Sequence, residues 1–251
     1  MGRRLGQHFL RPASVERLLQ LVAPGPDDEF LEIGPGKGAL TLPLAARARR
    51  VVAVELDARL AADLRSRAPA NLTVVEGDAL RVDLARLVQS RARLVGNLPY
   101  YVSSPLLRRF LEQRASFLDA HLMLQEEVAR RVAGSPGSRE YGVLSVLLGL
   151  WADLDVPLRF PAGAFQPPPK VGSALLRVRF LEQARAEVAE GFQDLVHRAF
   201  AHRRKTLANN LQDSYPNLKE YLRLCHIEGS RRPETLSVAE FARLSRVLAA
   251  G

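Results

Sequence analysis

Asn97-Leu98-Pro99-Tyr100 sets a side-chain amide, a rigid backbone and an aromatic ring side by side in four residues. The Asn97 amide oxygen and the Leu98 carbonyl, stiffened by the proline that follows, can accept both hydrogens of an exocyclic amine such as N6 of a flipped-out adenine. Tyr100 supplies a face on which the base stacks. Adenine N6 is a poor nucleophile because its lone pair is delocalised into the ring. Two acceptors on its hydrogens favour a pyramidal nitrogen with the lone pair aimed at a methyl donor. Such a site works by positioning and electrostatics and needs no strong general base. Taken alone, the same residues also read as an ordinary Asn-x-Pro turn.

Two further constellations keep it company. Glu32-Ile-Gly34-Pro-Gly36-Lys-Gly38 follows an apolar run and precedes a helical one. Glycines there let the backbone turn tightly and approach a ligand closely. With Ala39 the run also fits the dinucleotide-binding fingerprint. Glu55 follows about twenty residues on, as a ribose-binding carboxylate does, and it suits either NAD or S-adenosylmethionine. Asp78, after Glu76-Gly77, can accept a hydrogen bond from an adenine amine, although Gly-Asp is also a common turn.

Elements must bring these residues together, and the pattern of the chain supplies them. Short β-rich runs at 30–33, 51–54, 72–75, 93–95, 121–124, 155–160 and 174–180 alternate with helical stretches, among them 39–49 and one ending near residue 68. That alternation implies an α/β fold with a doubly wound, mostly parallel sheet. Ligands of such sheets sit beyond the carboxyl ends of the strands, where the glycine turn, Glu55, Asp78 and Asn97 all fall. After Phe180 the texture becomes helical. Phe192, Leu195, Val196, Ala199 and Phe200 recur at helical spacing, and Ser237 with Glu240 forms a capping-box pattern. We therefore expect a catalytic domain over 1–181 and a small all-α domain over 182–251.

Composition narrows the class. The chain has 251 residues, 47% apolar and 25% charged, which suits an ordinary globular protein. Its start lacks the apolar core of a secretory signal, and no run approaches the ~20 apolar residues of a membrane helix, so a cytoplasmic protein without membrane contact is expected. The single cysteine excludes a disulfide framework, and no metal is expected. The net charge of +9 comes from 32 Arg and 4 Lys. It fits a polyanion partner as well as an Arg-biased composition. Residues 181–251 account for only +2 of it. An RNA footprint would therefore run over the α/β part, with 202–205 as one edge. Arg3, Arg4 and Arg11 near the start, Arg108 and Arg109 beyond the Asn97 loop, and His202, Arg203, Arg204 and Lys205 are the candidate phosphate contacts. Each also reads as a solvated cation.

Taken in order, these motifs resemble those of the small-subunit ribosomal RNA adenine dimethyltransferase family, of the class I S-adenosylmethionine-dependent methyltransferase (Rossmann-like) fold. The resemblance spans nearly the whole chain. It includes Gly6-Gln-His8-Phe-Leu10, Glu32-Ile-Gly-Pro-Gly36, Val54-Glu55-Leu-Asp57, Gly77-Asp78 and Gly96-Asn-Leu-Pro-Tyr100. It continues through Met123 to Glu127, Tyr141 to Ser145, Phe165 to Val171, and Ala199 to Thr206. It implies that S-adenosylmethionine, leaving as S-adenosylhomocysteine, is held by His8, Leu10, Gly34, Glu55, Asp78 and Asn97. It further implies that the target adenine meets Asn97 and the Leu98 carbonyl and stacks between Tyr100 and Phe165. The family commonly has Asn at the position of His8. The implied reaction is dimethylation of N6 on two adjacent adenines in the 3′-terminal hairpin of small-subunit RNA, by a monomer acting on a pre-ribosomal particle. Three alternatives remain: a large-subunit RNA methyltransferase of the antibiotic-resistance type, a non-catalytic assembly factor on the same scaffold, and an NAD-dependent dehydrogenase, which leaves Asn97 to Tyr100 unexplained.

Overall fold

In a computed structural model the described residues are 8–250, without the side chain of Tyr100. The strands are β1 (Phe9–Leu10), β2 (Glu29–Ile33), β3 (Arg50–Glu55), β4 (Leu72–Glu76), β5 (Ala92–Asn97), β6 (Phe117–Gln125), β7 (Ala152–Phe160), β8 (Phe165–Gln166) and β9 (Ser173–Phe180). The helices are α1 (Pro12–Val22), α2 (Thr41–Ala45), α3 (Ala58–Ser66), α4 (Ser103–Glu112), α5 (Glu126–Val132), α6 (Val143–Gly149), α7 (Phe192–Ala199), α8 (Leu207–Leu211), α9 (Leu218–Leu224) and α10 (Val238–Ala250).

All seven β-runs of the sequence become strands of one sheet, in the order β4-β3-β2-β5-β6-β9-β7. β4, β3, β2, β5 and β6 pair in parallel, and β9 runs antiparallel to β6. Every residue of β2 is buried, as befits a central parallel strand covered on both faces. Strand order reverses between β2 and β5, and a ligand crevice forms where it does. Gly96 lies at that point. A Cβ on it would stand 2.7 Å from the Ile33 carbonyl oxygen, so only glycine lets β5 run this close to β2 and present Asn97.

Two details depart from the sequence expectation. The helical stretch at 39–49 is regular only over α2, with turns on either side, and Pro43 lies inside that short helix. A second, two-stranded sheet joins β1 to β8, with Leu10 opposite Phe165 and Phe9 opposite Gln166. Two residues on each side are too few to leave a periodic signal.

The chain divides into two compact units, one of Met1–Ala129 with Asp155–Phe180 and one of Arg130–Leu154 with Leu181–Gly251. A single cut at 181 therefore misplaces residues 130–154, which belong with the C-terminal helices. The packing of the second unit gives the reason. Buried Tyr141, just before α6, meets Phe200 edge-on at 6.2 Å between ring centroids, and Phe200 meets Phe241 of α10 at 5.9 Å. The expected stripe on α7 is buried at Phe192, Leu195, Val196 and Ala199. Ser237 and Glu240 form the capping box ahead of α10: the Ser237 N–H donates to Glu240 Oε2 at 2.7 Å, and the Glu240 N–H donates to Ser237 Oγ at 3.2 Å. In the first unit the core lies around β2, β3 and β5, with Phe30, Leu44, Val51, Leu64 and Val95 buried.

Candidate active site

The ends of β2, β3, β4 and β5 line one cavity, together with the β1 segment. Its wall includes His8, Leu10, Gly34, Glu55, Asp78, Asn97, Leu98 and Pro99, so the expected cofactor residues and most of the Asn97 loop converge. Gly34 takes a left-handed φ of +70° while its N–H donates to the Val54 carbonyl at 2.9 Å. This conformation suits glycine and turns the backbone away from β2. The Glu55 carboxylate accepts the Gly36 N–H at one oxygen and the Asp57 N–H at the other, both at 2.9 Å. It thereby ties the glycine turn to the end of β3. Each oxygen keeps a lone pair for a further donor such as a ribose hydroxyl. Asp78 accepts the Leu80 N–H at 2.9 Å and lies 3.6 Å from Arg81 Nε.

Asn97 is oriented from a direction the sequence does not foretell. Its Nδ2 donates to the main-chain carbonyl of His8 at 2.7 Å. That bond identifies the nitrogen end of the amide, so Oδ1 is the acceptor. The Leu98 N–H donates to the Met123 carbonyl at 3.1 Å and fixes the next peptide. His8 Nδ1 lies 2.8 Å from the Pro167 carbonyl, to which it donates. The His8 main chain thus positions Asn97 while its ring reaches toward the 166–169 loop.

Glu32 is a site residue the expectation left out, although it opens the glycine motif. Only 2% exposed, it lines the cavity, and its Oε2 has no hydrogen-bond partner among the described residues. Burial first, and then the nearby Glu55 carboxylate, push its pKa up to about 8 against the opposing effect of the Thr41 hydroxyl. This favours the protonated, uncharged carboxyl at neutral pH, in a cavity whose other acids are Glu55 and Asp78. Leu56 and Tyr101 line the cavity too and are 51% and 62% exposed.

Other expected positions differ. Phe165 does not present a stacking face: it is 1% exposed and packed in the core with Val15, Leu18 and Phe160, because pairing of β8 with β1 turns its ring inward. Arg109 is not a solvated cation. Its guanidinium donates to the Val82 carbonyl at 2.5 Å, joining α4 to the loop after β4. Arg11 is exposed and bonds Gln166 Oε1 at 3.2 Å. Arg108 is exposed, as are His202, Arg203, Arg204 and Lys205. These last four follow α7, which ends at Ala199. They form a turn before α8, in which the His202 main chain makes two bonds of 3.2 Å with the Asn210 amide and Arg203 donates to the Arg139 carbonyl at 2.5 Å. Arg3, Arg4 and the Tyr100 side chain lie outside the described residues.

A strand order reversing beside a glycine turn, with acids closing β3 and following β4 and an amide ending β5, defines a class I methyltransferase. Comparison with known proteins gives the same class and refines it. The family model described as ribosomal RNA adenine dimethylase matches residues 2–250, and the chain belongs to that family. The ribosomal RNA small subunit methyltransferase A of Leptothrix cholodnii is 44% identical over 250 residues, covering 98% of this chain and 91% of the relative. That of Geobacter metallireducens is 45% identical over 260 residues, covering 98% and 94%. Among solved structures, a dimethyladenosine transferase from Plasmodium falciparum superposes with a TM-score of 0.79 at 25% identity, covering 94% of this chain and 96% of its own. The 23S rRNA methyltransferase ErmE superposes with a TM-score of 0.76 at 28% identity, covering 96% and 99%.

Proposed function

We propose that this protein transfers methyl groups from S-adenosylmethionine to N6 of two adjacent adenines in the 3′-terminal hairpin of small-subunit ribosomal RNA, giving dimethyladenosine at each. The observation that carries the reading is Asn97, with its nitrogen end engaged and its acceptor end defined, in one cavity with Glu55 and Asp78. The cavity residues fit the cofactor: the left-handed turn at Gly34 permits close approach, Glu55 can take ribose hydroxyls, and Asp78 can take an adenine amine. Bound there, the cofactor supplies an electrophilic methyl group on a sulfonium centre. His8, Leu10 and Gly34 complete its walls.

The chain's own contribution is to hold the target nitrogen. In the first transfer Asn97 Oδ1 and the Leu98 carbonyl accept the two N6 hydrogens and draw the lone pair out of conjugation. As the nitrogen–methyl bond forms, the methyl–sulfur bond breaks and one N6 proton leaves to solvent. In the second transfer the one remaining hydrogen is accepted. Tyr100 stacks on the base. Leu98, buried and tied to Met123, keeps its carbonyl from drifting, and this rigidity brings nucleophile and methyl group into line. The cations at Arg3, Arg4, Arg11, Arg108 and 202–205 bind phosphates without reading sequence. The substrate is a small-subunit particle under assembly in the cytoplasm, and the enzyme acts as a monomer.

The large-subunit alternative draws on the likeness to ErmE, but the relatives at 44% and 45% identity carry the small-subunit name. Mass spectrometry of ribosomal RNA from cells lacking the gene tests the reading. Loss of dimethyladenosine from the hairpin supports it, and persistence refutes it.

A further inference from the structure

Tyr101 is an exposed aromatic side chain whose place no contact among the described residues explains. Among the described side chains it is the one aromatic counted with the exposed large hydrophobic residues, 62% open to solvent, yet it lines the mouth of the cavity. The backbone beneath it is firmly held. The Val102 N–H donates to the Pro99 carbonyl at 3.1 Å, and the buried Ser103 hydroxyl donates to the same oxygen at 3.2 Å. These bonds fasten the tight turn at Tyr100–Val102 to the start of α4.

From that turn the helix carries two distinct faces. Ser103, Leu106, Leu107, Phe110 and Leu111 are buried, whereas Tyr101, Ser104, Pro105 and Arg108 are exposed. Tyr101 is exposed in the turn that leads into α4, and Arg108 is exposed on the helix itself, about one and a half turns beyond its start. An exposed ring followed by a cation along one track is the arrangement that binds single-stranded nucleic acid, the base on the ring and the phosphate on the cation. The neighbouring Arg109 is turned inward to Val82, which leaves Arg108 as the cation of this face.

We propose that Tyr101 stacks on the nucleotide adjoining the target adenine and that Arg108 takes the phosphate of the same strand, so that the exposed face of α4 guides the RNA into the cavity. This rests on the function proposed above. Tyr101 is here a positioning residue, distinct from Asn97 and Tyr100, which meet the reacting base.

The experiment measures initial methylation rates against the concentration of small-subunit particles, with S-adenosylhomocysteine affinity measured by calorimetry for each variant. Tyr101→Ala is expected to raise KM for the particle about tenfold, the scale of one lost base stack, with kcat and S-adenosylhomocysteine affinity nearly unchanged. Tyr101→Phe should restore wild-type KM, since stacking needs the ring and not the hydroxyl. Arg108→Ala should lower the slope of log KM against log salt by about one. An unchanged KM in Tyr101→Ala overturns the proposal. So does a Tyr101→Phe variant as impaired as the alanine, or a loss of S-adenosylhomocysteine affinity equal to the loss in KM, which would make Tyr101 a cofactor wall. The functional reading fails separately, when the wild-type protein leaves the particle unmethylated. Fluorescence titration of the same variants with a short single-stranded RNA then still decides for or against the stack.

Discussion

At the scale of single residues, Asn97 and Glu32 carry opposite chemical duties in one cavity. In the proposed reaction Asn97 offers an acceptor to the reacting amine, so Asn97→Ala should lower kcat by about 100-fold or more while particle binding holds, as a filter-binding assay run beside turnover would record. Glu32 is held as a neutral acid, and the sign of its effect on stability follows. The folded chain keeps a proton to about pH 8 that the unfolded chain releases near its ordinary value of 4.5. The unfolded state thus binds fewer protons in that window, and folding stability declines as pH rises from about 4.5 to about 8 and levels off beyond it. Glu32→Gln removes this loss, so denaturant melts at pH 6 and pH 9 should show the variant gaining on the wild type at the higher pH. His8→Asn should retain turnover, because the bond that orients Asn97 comes from the main chain at that position. Residue types and spacing pointed to Glu55, Asp78 and Asn97, which the structure brings to one cavity. They gave no sign of the His8 carbonyl, since a main-chain contact across 89 positions leaves no trace in side-chain identity.

At the scale of elements, strands decide where these residues end up. β5 lies against β2 at the reversal of strand order only because residue 96 lacks a Cβ. Gly96→Ala forces an atom to 2.7 Å from the Ile33 carbonyl oxygen, which is backbone and cannot swing aside. The expected cost is about 1–3 kcal/mol by urea denaturation, with a fall in kcat as Asn97 shifts. The central strands β2 and β3 were legible because buried parallel strands write continuous apolar runs. The β1–β8 pair was not, because two-residue strands have no period, and its absence from the expectation explains the misassignment of Phe165. The resemblance implied a stacking role for Phe165, whereas in the structure its side chain is 1% exposed on a strand paired with β1. The conformation of the 202–205 segment was not legible, because the partner that shapes it is eight residues away. The bonds between the His202 main chain and the Asn210 amide hold it as a turn.

At the scale of the whole molecule, the proposed RNA contacts rest on charge and the proposed chemistry on local motifs. A net charge of +9 predicts particle binding that weakens steeply with salt. Arg204→Ala with Lys205→Ala should reduce the log–log slope by roughly two without altering which adenines are modified. Among the described residues no helix is long and apolar enough to cross a membrane. The domain boundary was only half legible, since residues 130–154 return to the helical unit through Tyr141, whose contact with Phe200 joins positions far apart in sequence. The most direct test of the central claim is in vitro methylation of isolated small and large ribosomal particles, with Asn97→Ala as control and the products mapped by mass spectrometry. The account predicts dimethyladenosine at two adjacent positions of the small-subunit hairpin with the wild-type protein and none with the variant. Methylation of large-subunit RNA instead, or undiminished turnover by Asn97→Ala, would contradict it.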